Sequence, residues 1–310
     1  MFKGIKNGWE LVIESIKIFI HYPKFLVPLV ISWLIYAPTL LYLKYFFNGD
    51  AYSSLQLFLI IFGIIFIFAF ILSFSCSVLL ELIQQFESHQ KMRLAKAFVD
   101  TLAHNTTRIL PIVFVWTIIW FILLIIEALL SKAKNRGKES FNAENAAKTL
   151  AGDKEFSLSG AFVRALEKGI RMVVFLILPA IAWENLSFIQ AVKKGIAVFR
   201  ANLVAFATGF MLTEFAGVII LLPLALLFYI SDTMKVMFAD WVWIAVIIYT
   251  AFAWSYSIYL EQMFAAHLYL WHLKWEKEAK RAQEEGRRIP AITDVPKPSL
   301  LDKVGGLLDK

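Results

Sequence analysis

The sequence predicts an all-α fold: a polytopic transmembrane helical bundle of about six spans, accompanied by amphipathic helices at the membrane interface. Hydrophobic residues make up 59% of the 310 residues and charged residues only 18%, which is more apolar than a water-facing surface permits. Several apolar stretches reach the roughly 20 residues that cross a bilayer core about 30 Å thick. Charged amphipathic segments alternate with these stretches.

The composition also excludes other classes of protein. Phe, Trp and Tyr are abundant while Pro and Gly are few, which excludes a disordered or collagen-like chain. Cys76 is the single cysteine of the sequence, so no internal disulfide can form and a small disulfide scaffold is excluded.

Residues 1–22 are predicted to form an interfacial helix, with Pro23 marking the bend into the first span. At about 100° per residue, apolar side chains fall in one arc and charged side chains lie opposite them. Basic residues facing away from Trp and Phe suit insertion among anionic lipid headgroups, so we expect the lipid bilayer to be a partner. The residues of this apolar arc are Phe2, Ile5, Trp9, Val12, Ile13, Ile16, Phe19 and Ile20.

Five apolar runs are long enough to predict spans directly. They lie near residues 25–47, 55–80, 109–130, 203–230 and 241–262. A sixth segment, near residues 170–186, contains an uncharged run of only 12 residues from Met172 to Trp183. Such a run is found in re-entrant and interfacial helices as well as in spans.

The distribution of Lys and Arg favours the sixth span, because positive charges near span ends are retained in the cytoplasm. With six spans and the N-terminus inside, 17 of these residues lie inside and 10 outside. If the short run does not cross, 9 lie inside and 18 outside. We therefore expect a multi-pass protein of the cell (inner) membrane with both termini in the cytoplasm. The loop 131–171 would be external, although it is more charged than is usual there.

Three regions follow along the chain. Residues 1–273 form the predicted transmembrane domain, in which further amphipathic segments precede the later spans. Residues 274–289 are strongly charged and predict a helical extension into the cytoplasm. Prolines recur from Pro290 onwards, so residues 290–310 are expected to be a flexible tail.

Motifs for catalysis or cofactor binding are absent from the sequence. It contains no H-E-x-x-H, no pair of cysteines, no G-x-S-x-G, no Walker-type glycine loop and no G-x-G-x-x-G. His267 and His272 are five residues apart, which does not bring two metal ligands to one helical face. We expect no enzymatic activity, no cofactor, no metal site and no nucleic-acid partner.

Glu214 is the acidic residue predicted to lie deepest in the membrane. It follows Leu203 by eleven residues, or roughly 16 Å along a helix, whereas the other acids of the spans lie near their ends. A carboxylate at this depth costs several kcal/mol unless it faces the bundle or a wet cavity. We group Glu214 with Ser73, Ser77 and Thr213 as a candidate intramembrane polar site.

Small residues at helical spacing predict close helix packing around this site. Gly209 and Gly217 bracket Thr213 in the fifth span, and Ala69 continues the serine stripe of the second span. The two spans are therefore expected to meet. Two interpretations of Glu214 stay open: it fixes helix packing, or it is an ion or proton site.

The segment Phe175-Leu-Ile-Leu-Pro179, followed by Glu184 and Ala191-Val-Lys-Lys194, resembles an uncharacterised prokaryotic family of six-span integral membrane proteins. The leader Gly8-Trp-Glu-Leu-Val12 with Ser15 is also similar to the start of such proteins. The family is known only as a domain of unknown function, so the resemblance implies the architecture and no functional residue.

Two functions are compatible with these features. A solute or ion permease, or a transport-associated protein, needs a polar route, for which Glu214 and the serines of the second span supply material. A non-transporting assembly or lipid-surface organising protein needs exposed interfaces, which the amphipathic helices supply. The sequence identifies neither a solute nor a protein partner, and it permits an oligomer.

Overall fold

The computed structural model describes residues 2–48, 51–134, 158–235, 238–301 and 308. The regular structure of these residues is helical, without a β-strand. In chain order, the α-helices are α1 (Phe2–His21), α2 (Val27–Tyr45), α3 (Ser54–Glu87), α4 (Leu94–Asp100), α5 (Thr106–Lys134), α6 (Leu158–Ala182), α7 (Phe188–Ala201), α8 (Leu203–Thr233) and α9 (Asp240–Glu284). A 3₁₀ turn at Pro23–Leu26 precedes α2, and a π-helical turn at Thr101–Asn105 joins α4 to α5.

Within the described part of the chain, five helical segments are long and apolar enough to cross a bilayer. They are Pro23–Leu43, Leu55–Glu87, Leu94–Glu127, Leu203–Thr233 and Trp241–Glu284. These segments contain or overlap the five long apolar runs of the sequence. The predicted all-α class is confirmed, and the architecture is compatible with a membrane protein; the sixth span stays a prediction.

Helix α6 contains the short apolar run of the predicted sixth span. Its 25 residues measure about 37 Å, which is enough to cross a bilayer core, but its first half carries several charges. Almost all of the run from Met172 to Trp183 is buried by other helices, and the Trp183 indole N–H donates to the Leu80 carbonyl at 3.0 Å. Of the predicted external loop 131–171, residues 135–157 lie outside the described residues, and residues 158–171 belong to α6.

The centre of the fold is the second half of α9. Every residue from Ile258 to His272 is buried, so this stretch is enclosed around its whole circumference. Helices α1, α2, α6, α7 and α8 all pack against α9. By contrast, the first half of α9 and the second half of α8 expose large apolar side chains, as expected of surfaces that meet lipid.

Helix α1 has the amphipathic pattern predicted for residues 1–22, but it has three faces rather than two. Within the predicted apolar arc, Ile5, Trp9 and Ile20 are exposed, whereas Val12 is buried and Ile16 and Phe19 pack against the core. A separate face, which includes Leu11 and Ile18, is fully buried against the protein. Insertion of the exposed arc into a membrane stays a prediction.

The C-terminal region packs back onto the bundle. Helix α9 is continuous to Glu284 and so includes most of the predicted charged extension. We expected a flexible tail beyond Pro290, whereas the described tail residues have specific partners. The Trp271 indole N–H donates to the Val295 carbonyl at 3.0 Å, and Lys297 forms an ion pair with Glu10 of α1. The described part of the tail therefore covers the charged face of α1.

Candidate functional site

Glu214 lies on a face of α8 that is otherwise apolar. Met211, Phe215 and Val218 surround it on the helix and are all exposed, and the Glu214 side chain itself is 61% exposed. The residue is eleven positions after the start of α8 and nineteen before its end. If α8 crosses the bilayer, this carboxylate meets an apolar medium and requires a partner of opposite charge.

That partner is Lys168 of α6. Its Nζ donates to Glu214 Oε2 at 2.7 Å, and only 6% of the lysine side chain is exposed. The same ammonium lies 5.0 Å from the centroid of the Phe210 ring, whose negative face attracts a cation. Phe210 is one turn before Glu214, so α8 supplies both a carboxylate and an aromatic ring to one buried lysine.

A second carboxylate, Glu261 of α9, contacts the same lysine. Glu261 Oε1 is 3.6 Å from Lys168 Nζ, and only 4% of the Glu261 side chain is exposed. Arg171 donates to both carboxylate oxygens, from Nε to Oε2 at 2.7 Å and from Nη2 to Oε1 at 2.9 Å. This bidentate geometry fixes the orientation of Glu261 as well as its charge.

The spacing on α6 explains why these groups meet. Lys168 and Arg171 are three residues apart, so the helix places both on one face, and this face contacts α8 and α9. We call Lys168, Arg171, Glu214 and Glu261 the charge cluster. Two cations and two carboxylates make it electrically neutral, which is the condition under which charges are tolerated away from water.

The two halves of the charge cluster are unequal. Arg171 and Glu261 share two hydrogen bonds around a buried carboxylate, whereas Lys168 and Glu214 share one around a largely exposed carboxylate. Lys168 therefore has a second carboxylate within 3.6 Å, that of Glu261, besides its hydrogen-bonded partner Glu214.

The other predicted site residues do not share this arrangement. The Thr213 hydroxyl donates to the Phe210 carbonyl of its own helix at 3.1 Å. Ser73 and Ser77 are buried on α3, and Ser73 Oγ has no hydrogen-bond partner in the described part of the chain. Of the four residues that we grouped together, Glu214 is the one that joins a charged network.

The predicted packing residues show which helix contacts α8. A Cβ at Gly209 would overlap the ring of Phe264, and one at Gly217 would lie 3.5 Å from Ser257 Oγ. Both partners belong to α9, so the small-residue stripe of α8 faces α9 rather than the expected second span. Ala69 of α3 is fully buried.

Sequence reasoning missed three members of the charge cluster. In the sequence, Lys168 and Arg171 fall in the predicted external loop 131–171, and Glu261 falls near the end of its predicted span. The available signal was the pair of cations three residues apart beside a short apolar run, which indicates a helix that needs acidic partners. A hydropathy window counts each of these charges as a cost and cannot recognise that they pair.

A second polar network joins α7 to α9. The Tyr269 hydroxyl donates to Glu184, and Lys194 forms ion pairs with both Glu184 and Glu276. His272 Nε2 lies 3.3 Å from Glu276 Oε1. Among the described residues, no group of three or more His, Cys, Asp or Glu side chains is arranged to hold a metal ion. We interpret this network as a structural tie between the helices.

No family model, curated protein or solved structure shows a significant match to this chain. The helices and the charge cluster are therefore the features of the molecule that bear on its function.

Proposed function

We propose that the protein is a multi-pass membrane permease or a transport-associated protein, rather than an enzyme, and that Glu214 is its ion- or proton-responsive group. One observation carries the proposal: Glu214, on an apolar exposed helix face, shares the buried ammonium of Lys168 with Glu261. Ionisable groups inside spans are costly, and they mark ion or proton pathways more often than they serve packing alone.

The unequal halves of the charge cluster support this role. The Arg171–Glu261 pair is held by two hydrogen bonds and would keep α6 and α9 together while Glu214 changes its charge. When Glu214 is neutralised, the attraction that joins α8 to α6 weakens while the α6–α9 pair is retained. Proton or cation binding would therefore be coupled to the packing of α8, a coupling that a transporter requires.

The membrane topology is part of the same proposal. We propose six spans in the cell membrane, with α6 as the additional crossing helix and both termini in the cytoplasm. Its length of 25 residues supports this, as do the carboxylates on α8 and α9 that neutralise Lys168 and Arg171. The charge pairs lower the cost that otherwise excludes such a helix from a bilayer.

The test is ion flux in vesicles reconstituted with the full chain. A pH-sensitive dye is trapped inside, and a potassium diffusion potential is applied in buffers with and without sodium. We expect wild-type vesicles to show proton movement above that of empty vesicles, either without sodium or coupled to it, and the Glu214→Gln variant to show none.

Glu127→Gln is the matched control, because it neutralises a half-buried acid on another membrane-length helix. We expect it to retain flux. Wild-type flux equal to that of empty vesicles, or an equal loss in both variants, would overturn the proposed role of Glu214.

A lipid-surface organising role is the second candidate, and the geometry of α1 favours it. Ile5 and Trp9 are exposed on the same helix that carries Lys3 and Lys6 at the surface. This combination suits a helix that inserts its apolar edge among anionic headgroups. Membrane binding by α1 without any ion flux would favour this second function.

A further inference from the structure

An open groove lies between the start of α1 and the first half of α8. Its volume is about 590 Å³. The lining combines two basic residues with mainly apolar ones: Lys3, Ile5, Lys6, Trp9, Thr208 and Leu212. The groove is separate from the charge cluster, none of whose four residues contributes to its lining.

Two glycines of α1 set the geometry of this groove. A Cβ at Gly4 would lie 2.8 Å from Val204 Cγ1, and one at Gly8 would lie 2.7 Å from the Ala205 carbonyl oxygen. The backbones of α1 and α8 are therefore in close contact along this line. Trp9 follows Gly8 in the chain and lines one side of the groove.

The two basic residues give the groove a polar end. Lys3 and Lys6 are three residues apart on α1, and each side chain is 77% exposed. Their acidic neighbours are distant for ion pairs, with Asp294 at 3.7 Å from Lys3 and Glu10 at 3.8 Å from Lys6. Exposed pairs of this length are weak, so both ammonium groups can bind another anion.

The rest of the groove suits a hydrocarbon chain. Trp9 is 53% exposed and Ile5 is also exposed, and Leu212 forms the wall on α8. The Thr208 hydroxyl already donates to the Val204 carbonyl at 2.9 Å, so its one O–H is not available to a ligand in the groove. Beyond Leu212, exposed Phe215 continues the apolar surface along α8.

We propose that this groove binds one anionic phospholipid, with its phosphate between Lys3 and Lys6 and an acyl chain against Trp9 and Leu212. Two cations at one end and apolar side chains along the rest match the two parts of such a lipid. A free phosphate would use the lysines but leave the apolar wall unoccupied. This inference is independent of ion transport, because lipid retention and flux are measured separately.

The test is lipid retention by the purified full chain, measured by native mass spectrometry after incubation with phosphatidylglycerol or phosphatidylcholine. We expect the wild type to retain phosphatidylglycerol in preference. The Lys3→Gln/Lys6→Gln variant should lose this preference by about tenfold, because each lysine near an anionic headgroup contributes to binding. Lys17→Gln is the matched control, since Lys17 is an exposed lysine of the same helix outside the groove.

Two further arms keep the proposal falsifiable. Lys3→Arg/Lys6→Arg conserves the charge and should retain the lipid, which separates a binding defect from a folding defect. Addition of inorganic phosphate should leave phosphatidylglycerol bound. Equal retention of the two lipids by the wild type, an equal loss in Lys17→Gln, or displacement by inorganic phosphate would each overturn the proposed lipid site.

Discussion

Gly209 of α8 lies so close to Phe264 of α9 that a Cβ at position 209 would overlap the aromatic ring. The Phe264 ring is fully buried. This contact brings the backbone of α8 against α9 about two turns before Gly217 in the chain. The next residue, Phe210, contacts Lys168 of the charge cluster. The approach of α8 to α9 at this point therefore requires a residue without a side chain.

We expect Gly209→Ala to destabilise the protein by about 1–3 kcal/mol, as is usual when a packed core is overfilled. Gly217→Ala is the matched control and should be nearly neutral, because its Cβ would make an ordinary 3.5 Å contact with Ser257. Thermal unfolding in detergent measures both. Adding Phe264→Leu to Gly209→Ala should restore stability; equal melting temperatures for the two single variants would contradict the contact.

Removing one partner of the buried pair in the charge cluster should be costly. Glu261→Gln leaves Arg171 without its carboxylate, and breaking a buried pair costs about 3–5 kcal/mol. We expect Arg171→Leu/Glu261→Leu to be more stable than either single leucine variant, because no charge is then left alone. Thermal unfolding of the two single leucine variants and of the double variant measures this, with Asp232→Asn as an exposed control. If the losses of stability in the single variants add up in the double variant, the two side chains do not interact.

The C-terminal tail should contribute to stability rather than move freely. Deletion of residues 290–310 removes the Val295 carbonyl that accepts from Trp271 and the ion pair of Lys297 with Glu10. Each lost hydrogen bond costs about 0.5–1.5 kcal/mol, so the melting temperature should fall measurably. The effect should be smaller in a Trp271→Phe background. Rapid proteolysis of the native tail with no change in melting temperature would show that it is flexible.

Cysteine labelling tests the six-span topology. Native Cys76 is fully buried, so a membrane-impermeant maleimide has a low background. We expect Thr233→Cys, at the exposed C-terminal end of α8, to react in intact cells. Lys277→Cys, beyond the apolar part of α9, should react only after permeabilisation. The opposite pattern would support five spans and remove α6 from the set of crossing helices.

The sequence was sufficient for elements whose physical signal is local. The long apolar runs and the amphipathic pattern of α1 each depend on residues close together in the chain, and both appear as helices. Glu214 was recognised because its depth can be counted along one helix. These signals need no knowledge of how the helices pack.

The partners of Glu214 could not be predicted in the same way. Lys168 is 46 residues from Glu214, and Arg171 is 90 residues from Glu261. Which face of α6 meets α8 and α9 depends on tertiary packing, which no periodicity encodes. The role of Gly4 and Gly8 also depends on tertiary packing, because a Cβ at either position would overlap α8.

The most direct measurement of the proposed role of Glu214 is its reaction with dicyclohexylcarbodiimide, an apolar reagent that adds to protonated carboxyl groups within membranes. Peptide mass spectrometry of the labelled full chain locates the adduct. We expect Glu214 to react and Glu261 to stay unmodified, because Glu214 is 61% exposed on an apolar face while Glu261 is 4% exposed and bonded to Arg171. Lys168→Met should speed the reaction, because the ammonium that donates a hydrogen bond to the carboxylate is removed. An unreactive Glu214, or equal labelling of Glu261, would contradict an exchangeable carboxylate at this position.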